Sequence, residues 1–199
     1  MSMDTNKRRT LRTLFSFCAG FLLVLASACA SHGPEIRTLG FLEDYGQLSP
    51  GREGQASLIY IDGEADFSAY TAIIIERVVA WPGPDGQPAS ATRELAKNLD
   101  EDLRRELARE FDLVDQPIAG ALQLRTALAS DGGSHLVLEV ELLDAANGQR
   151  LVAAVDRRKY ESTDSIAQTD AWAILIRDRL ASFRQFDSAW RAREAEAAP

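Results

Sequence analysis

An apolar run that stops early most limits what this chain can fold into. Leu14 to Ala26 is apolar or small for 13 residues, behind a basic stretch of Lys7, Arg8, Arg9 and Arg12. A bilayer-spanning helix needs about 20 residues. The basic n-region, the short apolar core and the small Ala26-Ser27-Ala28 together have the form of a secretory signal. No later segment is apolar for long enough to span, so the rest of the chain is expected to fold in water.

Two export readings fit residues 1–28. Ala26-x-Ala28 suits ordinary cleavage after Ala28. That would leave Cys29 as a lone free thiol, an odd leftover in an oxidising compartment. Leu25-Ala26-Ser27-Ala28-Cys29 instead resembles a bacterial lipobox, which implies cleavage between Ala28 and Cys29 and acylation of Cys29. Cys18 would leave with the signal, and no thiol would remain for disulfides, metal or catalysis. Several acyl chains make a stable anchor where one binds reversibly. The partner this implies is a membrane, through the lipid on Cys29. Ala30 follows the cysteine where an inner-membrane lipoprotein would carry aspartate, so the expected location is the outer membrane, facing the periplasm.

Charge narrows the partners further. The chain holds 22 basic and 30 acidic residues. Without the four basic residues and one acid of 1–28, 18 stand against 29, a net of −11. Such an excess argues against nucleic acid, whose phosphates need a basic face, and against docking on anionic lipid.

Beyond the signal the expected organisation is a lipidated tether and arm (29–57), one α/β domain (58–191) and a frayed tail (192–199). The arm includes one helical turn at 41–46 with Phe41, Leu42, Tyr45 and Leu48 on its apolar side. LIYID (58–62) and TAIIIERVVAW (71–81) read as strands. The second carries Ile73, Ile75 and Val79 on one side and Ile74, Val78 and Ala80 on the other, so both of its faces are expected to be covered. Leu95, Leu99, Leu103 and Leu107 recur every four residues and predict an amphipathic helix over 92–110, capped by Ser90 or Thr92. FDLVD (111–115), 121–129, 136–143 and 149–160 read as strands, with Asn147-Gly148 as a hairpin turn because both residues tolerate positive φ. Ser165 to Gln168 fits a capping box, and a second helix follows to about Trp190. The expected fold class is α+β, a two-layer sandwich with a mixed or antiparallel sheet of four to five strands packed by two helices.

Four features of this pattern resemble a known family. They are Gly40-Phe41-Leu42-x-Asp44-Tyr45-x-x-Leu48, a strand led by Tyr70, Leu113-Val114-Asp115, and Trp172 near the start of the last helix. They are similar to bacterial lipoproteins grouped as domain-of-unknown-function family 3313, over roughly 38–185. The resemblance implies an envelope lipoprotein with an α/β body and carries no activity or catalytic residue.

The residues themselves offer little chemistry. A hydrolase triad needs an oriented histidine, and His32 and His135 sit in the tether and at a strand start. With those two histidines and a lipidated cysteine, a zinc site lacks ligands. Asp62, Glu64 and Asp66 lack the glycine and distant glutamate of a calcium loop. Asp100-Glu101-Asp102 and Glu139/Glu141 read as solvated faces. No cofactor and no enzyme activity are expected. Trp172 and Trp190 read as core and helix-packing residues. Phe41, Asp44, Tyr45 and Trp81 are the candidates for docking another envelope protein, unless the aromatics of the arm pack back onto the domain. The expected role is a protein-binding accessory of the envelope, with a small-ligand or glycan-binding domain as the alternative.

Overall fold

The structure is a computed structural model that describes residues 36, 38–82, 86–131, 134–159 and 165–197. The signal, Ala28, Cys29 and the tether before Ile36 lie outside the described residues. The described residues hold eight strands: β1 (Ser49–Pro50), β2 (Leu58–Ile61), β3 (Ala72–Ile75), β4 (Val79–Ala80), β5 (Asp112–Leu113), β6 (Ala121–Ser130), β7 (His135–Asp144) and β8 (Arg150–Lys159). The helices are α1 (Ser90–Leu107) and α2 (Ser165–Ala197), with a 3-10 turn at Phe67–Ala69. All eight strands join one sheet in the order β1-β2-β8-β7-β6-β3-β5, with β4 pairing β6 beyond the end of β3.

The expected α+β class holds, but the sheet is larger than the four to five strands anticipated. β1, with two residues, is too short to leave a period-two signature in sequence, while β4 and β5, also of two residues each, lie inside the segments 71–81 and 111–115 read as strands. The sheet is mixed. From β1 through β2, β8 and β7 to β6 each pair is antiparallel, while β3 and β4 run parallel to β6, and β5 parallel to β3. The Asn147-Gly148 turn joins β7 to β8 as expected, with Gly148 at φ 74°.

The 71–81 segment is not one strand. It breaks between Ile75 and Val79, where the Val78 N–H donates to Asp100 Oδ1 (3.0 Å) and not to the sheet. The break shifts the alternation by one residue. Val78 enters the core with Ile73 and Ile75, and Val79 turns to solvent. The helical turn expected at 41–46 is an irregular loop. α1 starts after Ala89 with no side-chain cap, and Ser90 and Thr92 fall inside the helix.

Alternation along β6, β7 and β8 gives the sheet two unlike faces. Leu122, Leu124, Leu128, Leu136, Leu138 and Leu142 form one core with α1 and α2. Leu99, Leu103 and Leu107 of α1 and Trp172, Ala173 and Leu180 of α2 are buried in it. Full burial of one such leucine stabilises by about 1.5–3 kcal/mol. On the opposite face, Val137, Ala153 and Val155 are covered by Ile36, Leu39, Phe41, Tyr45 and Leu48, with Leu42 buried among them.

The two helices also meet through charges. Glu106, buried, accepts from Arg177 and from Arg109 (2.8 Å), and Arg105 bridges Asp102 (2.6 Å) and Asp170 (2.7 Å). The Thr169 hydroxyl donates to Asp102 Oδ2 (2.9 Å). The Asp100-Glu101-Asp102 cluster is therefore not a solvated face as a whole. Glu101 is exposed, but Asp102 is buried at the helix seam and Asp100 tethers the break after β3.

Candidate functional site

The arm closes one face of the sheet. Glu139 projects from β7 onto that face with no exposed surface, and its partners among the described residues come from the arm. The Leu39 N–H donates to Oε1 (2.6 Å). The N–H groups of Phe41 and Leu42 (both 3.2 Å) and the Tyr45 hydroxyl (2.6 Å) donate to Oε2. The Tyr45 oxygen also accepts from the N–H groups of Gly40 (2.9 Å) and Leu42 (3.2 Å). Gly40 sits at φ 85°, a left-handed conformation that side chains disfavour. That bend turns successive N–H groups toward one carboxylate. A buried charge costs several kcal/mol unless it is fully hydrogen-bonded, and these four donors are the compensation.

Beside it Glu141, also buried, is held by Arg125 (2.5 Å) and Arg150 (2.7 Å). Arg150 Nη1 reaches on to the Asp44 carbonyl (2.8 Å). The Arg125 guanidinium lies 5.3 Å from the Phe41 ring centre, and Phe41 meets Trp81 edge-on at 5.5 Å. Trp81 Nε1 donates to the Leu39 carbonyl (2.8 Å).

Glu139 and Glu141 are thus buried anchors and not a solvated face. Sequence reading missed them, together with Arg125 and Arg150. A signal was present: Val137 shares their side of the strand, and a wet face has little use for it. Of the residues singled out for docking, the structure brings Phe41, Tyr45 and Trp81 together against the sheet, each half-buried. Asp44 is exposed, and its carboxylate accepts from the Gly46 N–H (2.7 Å) to close a local turn. Burial first, and then the bond to Glu139, push the Tyr45 phenol up to about 12.

The helix face holds the other candidate. About 130 Å³ of open space lies between α2 and the β2-β8-β7 side of the sheet. Its walls include Ile59 and Ile61 from β2, Val152 and Ala154 from β8, Leu138, Val140 and Leu142 from β7, and Trp172, Leu175, Ile176, Leu180 and Phe183 from α2. The gap has a geometric cause. A helix is about 10 Å across and strands repeat every ~4.8 Å, so two helices fall a little short of covering the five strands β2, β8, β7, β6 and β3. α1 and α2 pack together, which leaves the β2 side thinly covered.

Polar groups around this space are few. Asp156 accepts from Trp172 Nε1 (2.8 Å) and Arg158 Nε (2.7 Å), so its charge is compensated. Arg179, exposed, donates to the Gly54 carbonyl (2.9 Å), strapping the 51–57 loop to α2. The arrangement can hold an apolar group.

Elsewhere the sequence candidates are local braces. Asp62 accepts from the Glu64 N–H (3.0 Å) and Gln149 (2.8 Å). Burial opposes ionisation of Asp66, but the Ser68 hydrogen bonds and Arg191 outweigh it and hold that carboxyl below its ordinary range. Among the described residues, no three His, Cys, Asp or Glu side chains are grouped to hold a metal ion, and no helix is long and apolar enough to cross a membrane. Trp172 is core as expected, whereas Trp190 is 54% exposed and packs little.

These features define the class: an α+β domain with one helical layer and an arm latched over the sheet's other face. The model of a family described as "Protein of unknown function (DUF3313)" matches residues 37–130. The resemblance carried by the GFLxDYxxL motif therefore holds. The match takes in the arm, α1 and β6 and ends before β7, so Glu139 lies outside it. No curated protein matches the chain. Among solved structures, a PelC dodecamer from Paraburkholderia phytofirmans is 14% identical at a TM-score of 0.38, covering 60% of this chain and 95% of that one. A DUF330 protein from Xanthomonas campestris is 9% identical at 0.36, covering 66% and 93%. Lipoprotein GNA1162 from Neisseria meningitidis is 11% identical at 0.33, covering 47% and 83%. Likenesses this distant carry no argument about function.

Proposed function

We propose that this chain is a lipid-anchored protein of the bacterial envelope, held at the outer membrane through Cys29 and facing the periplasm, whose domain binds a small apolar ligand. The anchor rests on the signal and lipobox pattern. Cys29→Ser should abolish acylation and release the protein from membranes; a mutant that still carries lipid would refute it.

The ligand-binding role rests on one observation, the apolar space beneath α2. An enclosed apolar cavity of about this volume accepts a benzene-sized molecule, and this space is partly open to solvent. Ligand sites are commonly apolar with a few placed polar groups, and here those are Trp172, Asp156 and Arg179. Ile176→Trp should fill the space. Binding of an apolar fluorescent probe by the wild type, lost in that variant, supports the reading. Equal probe binding by both proteins would sink it.

A second reading, the protein-binding accessory, is favoured by the outer end of α2. Phe186 is 68% exposed and Trp190 is 54% exposed, one helical turn apart, while Asp187 and Arg191 between and beyond them bond the body at Phe67 (2.7 Å) and Asp66 (2.7 Å). Exposed aromatics of this kind are common interface anchors. In-cell crosslinking to one reproducible envelope protein, lost in Phe186→Ala/Trp190→Ala, would favour this role. Crosslinking unchanged in the double variant would exclude α2 as its site. The arm aromatics serve less well, because Phe41 and Tyr45 are already engaged within the fold.

A further inference from the structure

We infer that the occupant of the space beneath α2 is a single-chain carboxylate, with its alkyl end between α2 and β8 and its head group at Arg179. The inference rests on the ligand-binding reading above and specifies its chemistry.

The walls set the apolar part. Ile59, Val140, Val152, Leu175 and Ile176 present only hydrocarbon, and a volume of about 130 Å³ admits a short alkyl segment or one ring. A branched sugar would strand hydroxyls there, each costly without a partner. That disfavours a glycan.

The cation at the edge sets the head group. Arg179 lines the same space and makes one hydrogen bond among the described residues, to the Gly54 carbonyl. A guanidinium carries five N–H donors in a planar fork that suits a carboxylate. The carboxylate nearest in the lining, Asp156, is already paired with Arg158 and Trp172. A cation with donors to spare therefore stands at the edge of a mainly hydrocarbon slot whose other polar side chains are Gln55 and Asp156. Charge complementarity selects an anionic amphiphile over a neutral one.

The test compares octanoate with octanol on the full chain carrying Cys29→Ser, so that no detergent competes. Calorimetry gives the affinities, and methyl NMR shifts at Val152 and Ile176 locate the site. Octanoate should bind more tightly than octanol by up to about fivefold, the upper end for an exposed ion pair. Arg179→Gln, which can still donate to Gly54, should abolish that difference and leave octanol binding unchanged. Equal binding of both ligands at the two methyls would overturn the head-group assignment and leave the cavity reading standing. If neither ligand moves those methyls, both readings fall.

Discussion

The two faces of the sheet are closed in opposite ways. On the helix face, leucines stack against leucines, and the fit leaves open space on the β2 side. On the arm face, a dozen residues of irregular chain are held by four donors converging on Glu139. The first closure is non-directional, so it tolerates a gap. The second is directional, so it fixes one conformation of the arm. A chain segment without helix or strand has unsatisfied N–H groups, and a buried carboxylate beneath it supplies the acceptor. Every position of the GFLxDYxxL motif then has a structural cause. Gly40 makes the bend, Phe41 packs on Trp81, Leu42 fills the face, Asp44 closes a turn, and Tyr45 bonds Glu139. Leu48 packs on the same apolar cluster.

The largest expected effect lies on the helix face. Leu103 is fully buried in α1, and Leu103→Ala should cost about 3–4 kcal/mol, read as a drop in the urea midpoint. A loss under ~1 kcal/mol would mean that α1 is not packed as described. Next comes the latch. In Glu139→Gln the amide oxygen can replace only one of the two carboxylate oxygens, and its own NH2 faces the donors of the other. The expected loss is about 2–3 kcal/mol. More telling is its location: amide exchange should rise at Leu39, Phe41 and Leu42 while α1 stays protected. Uniform exchange across the domain would show that the two faces are not separable.

Tyr45→Phe removes one donor and should cost about 1 kcal/mol. It also has a pH signature. The phenol ordinarily titrates near 10 and is raised to about 12 in the fold, so the folded state favours the protonated form. That contribution is fully present below pH ~10 and is lost as pH rises toward ~12. Wild type should lose stability across this window, and the variant should lose less. Tyr70, raised by burial and then by its bond to Asp144 (2.8 Å), would account for a residual slope in Tyr45→Phe.

What could be read in advance follows the same division. α1 was legible because four leucines at a four-residue spacing leave no other element. β6, β7 and β8 were legible from ten-residue alternation and the Asn147-Gly148 turn. β1 was not, because a two-residue strand exists only through tertiary pairing; β4 and β5 were read within 71–81 and 111–115, segments longer than the strands themselves. The slip from Val79 to Val78 could not be seen, since both are valines and the cause is Asp100, 22 residues away. The arm motif was recognisable as a pattern, but its partner was not. Glu139 is 94 residues from Tyr45, and in sequence it looks like any acid alternating along a strand.

The finest test of the two-face contrast uses neighbouring residues of β8. Ala153 lies fully buried against the arm side with Leu42, and Val152 faces the space beneath α2. Ala153→Val should overpack a closed layer and cost about 1–3 kcal/mol. Val152→Ile adds the same kind of group one residue away, where there is room. It should cost nothing and could stabilise by up to ~0.8 kcal/mol, the worth of one buried methylene. Equal costs at both positions would mean that the space beneath α2 is closed in solution, and the ligand reading would lose its footing. Opposite signs would show that one strand carries a filled face and an unfilled one, and that the unfilled one is where an apolar molecule fits.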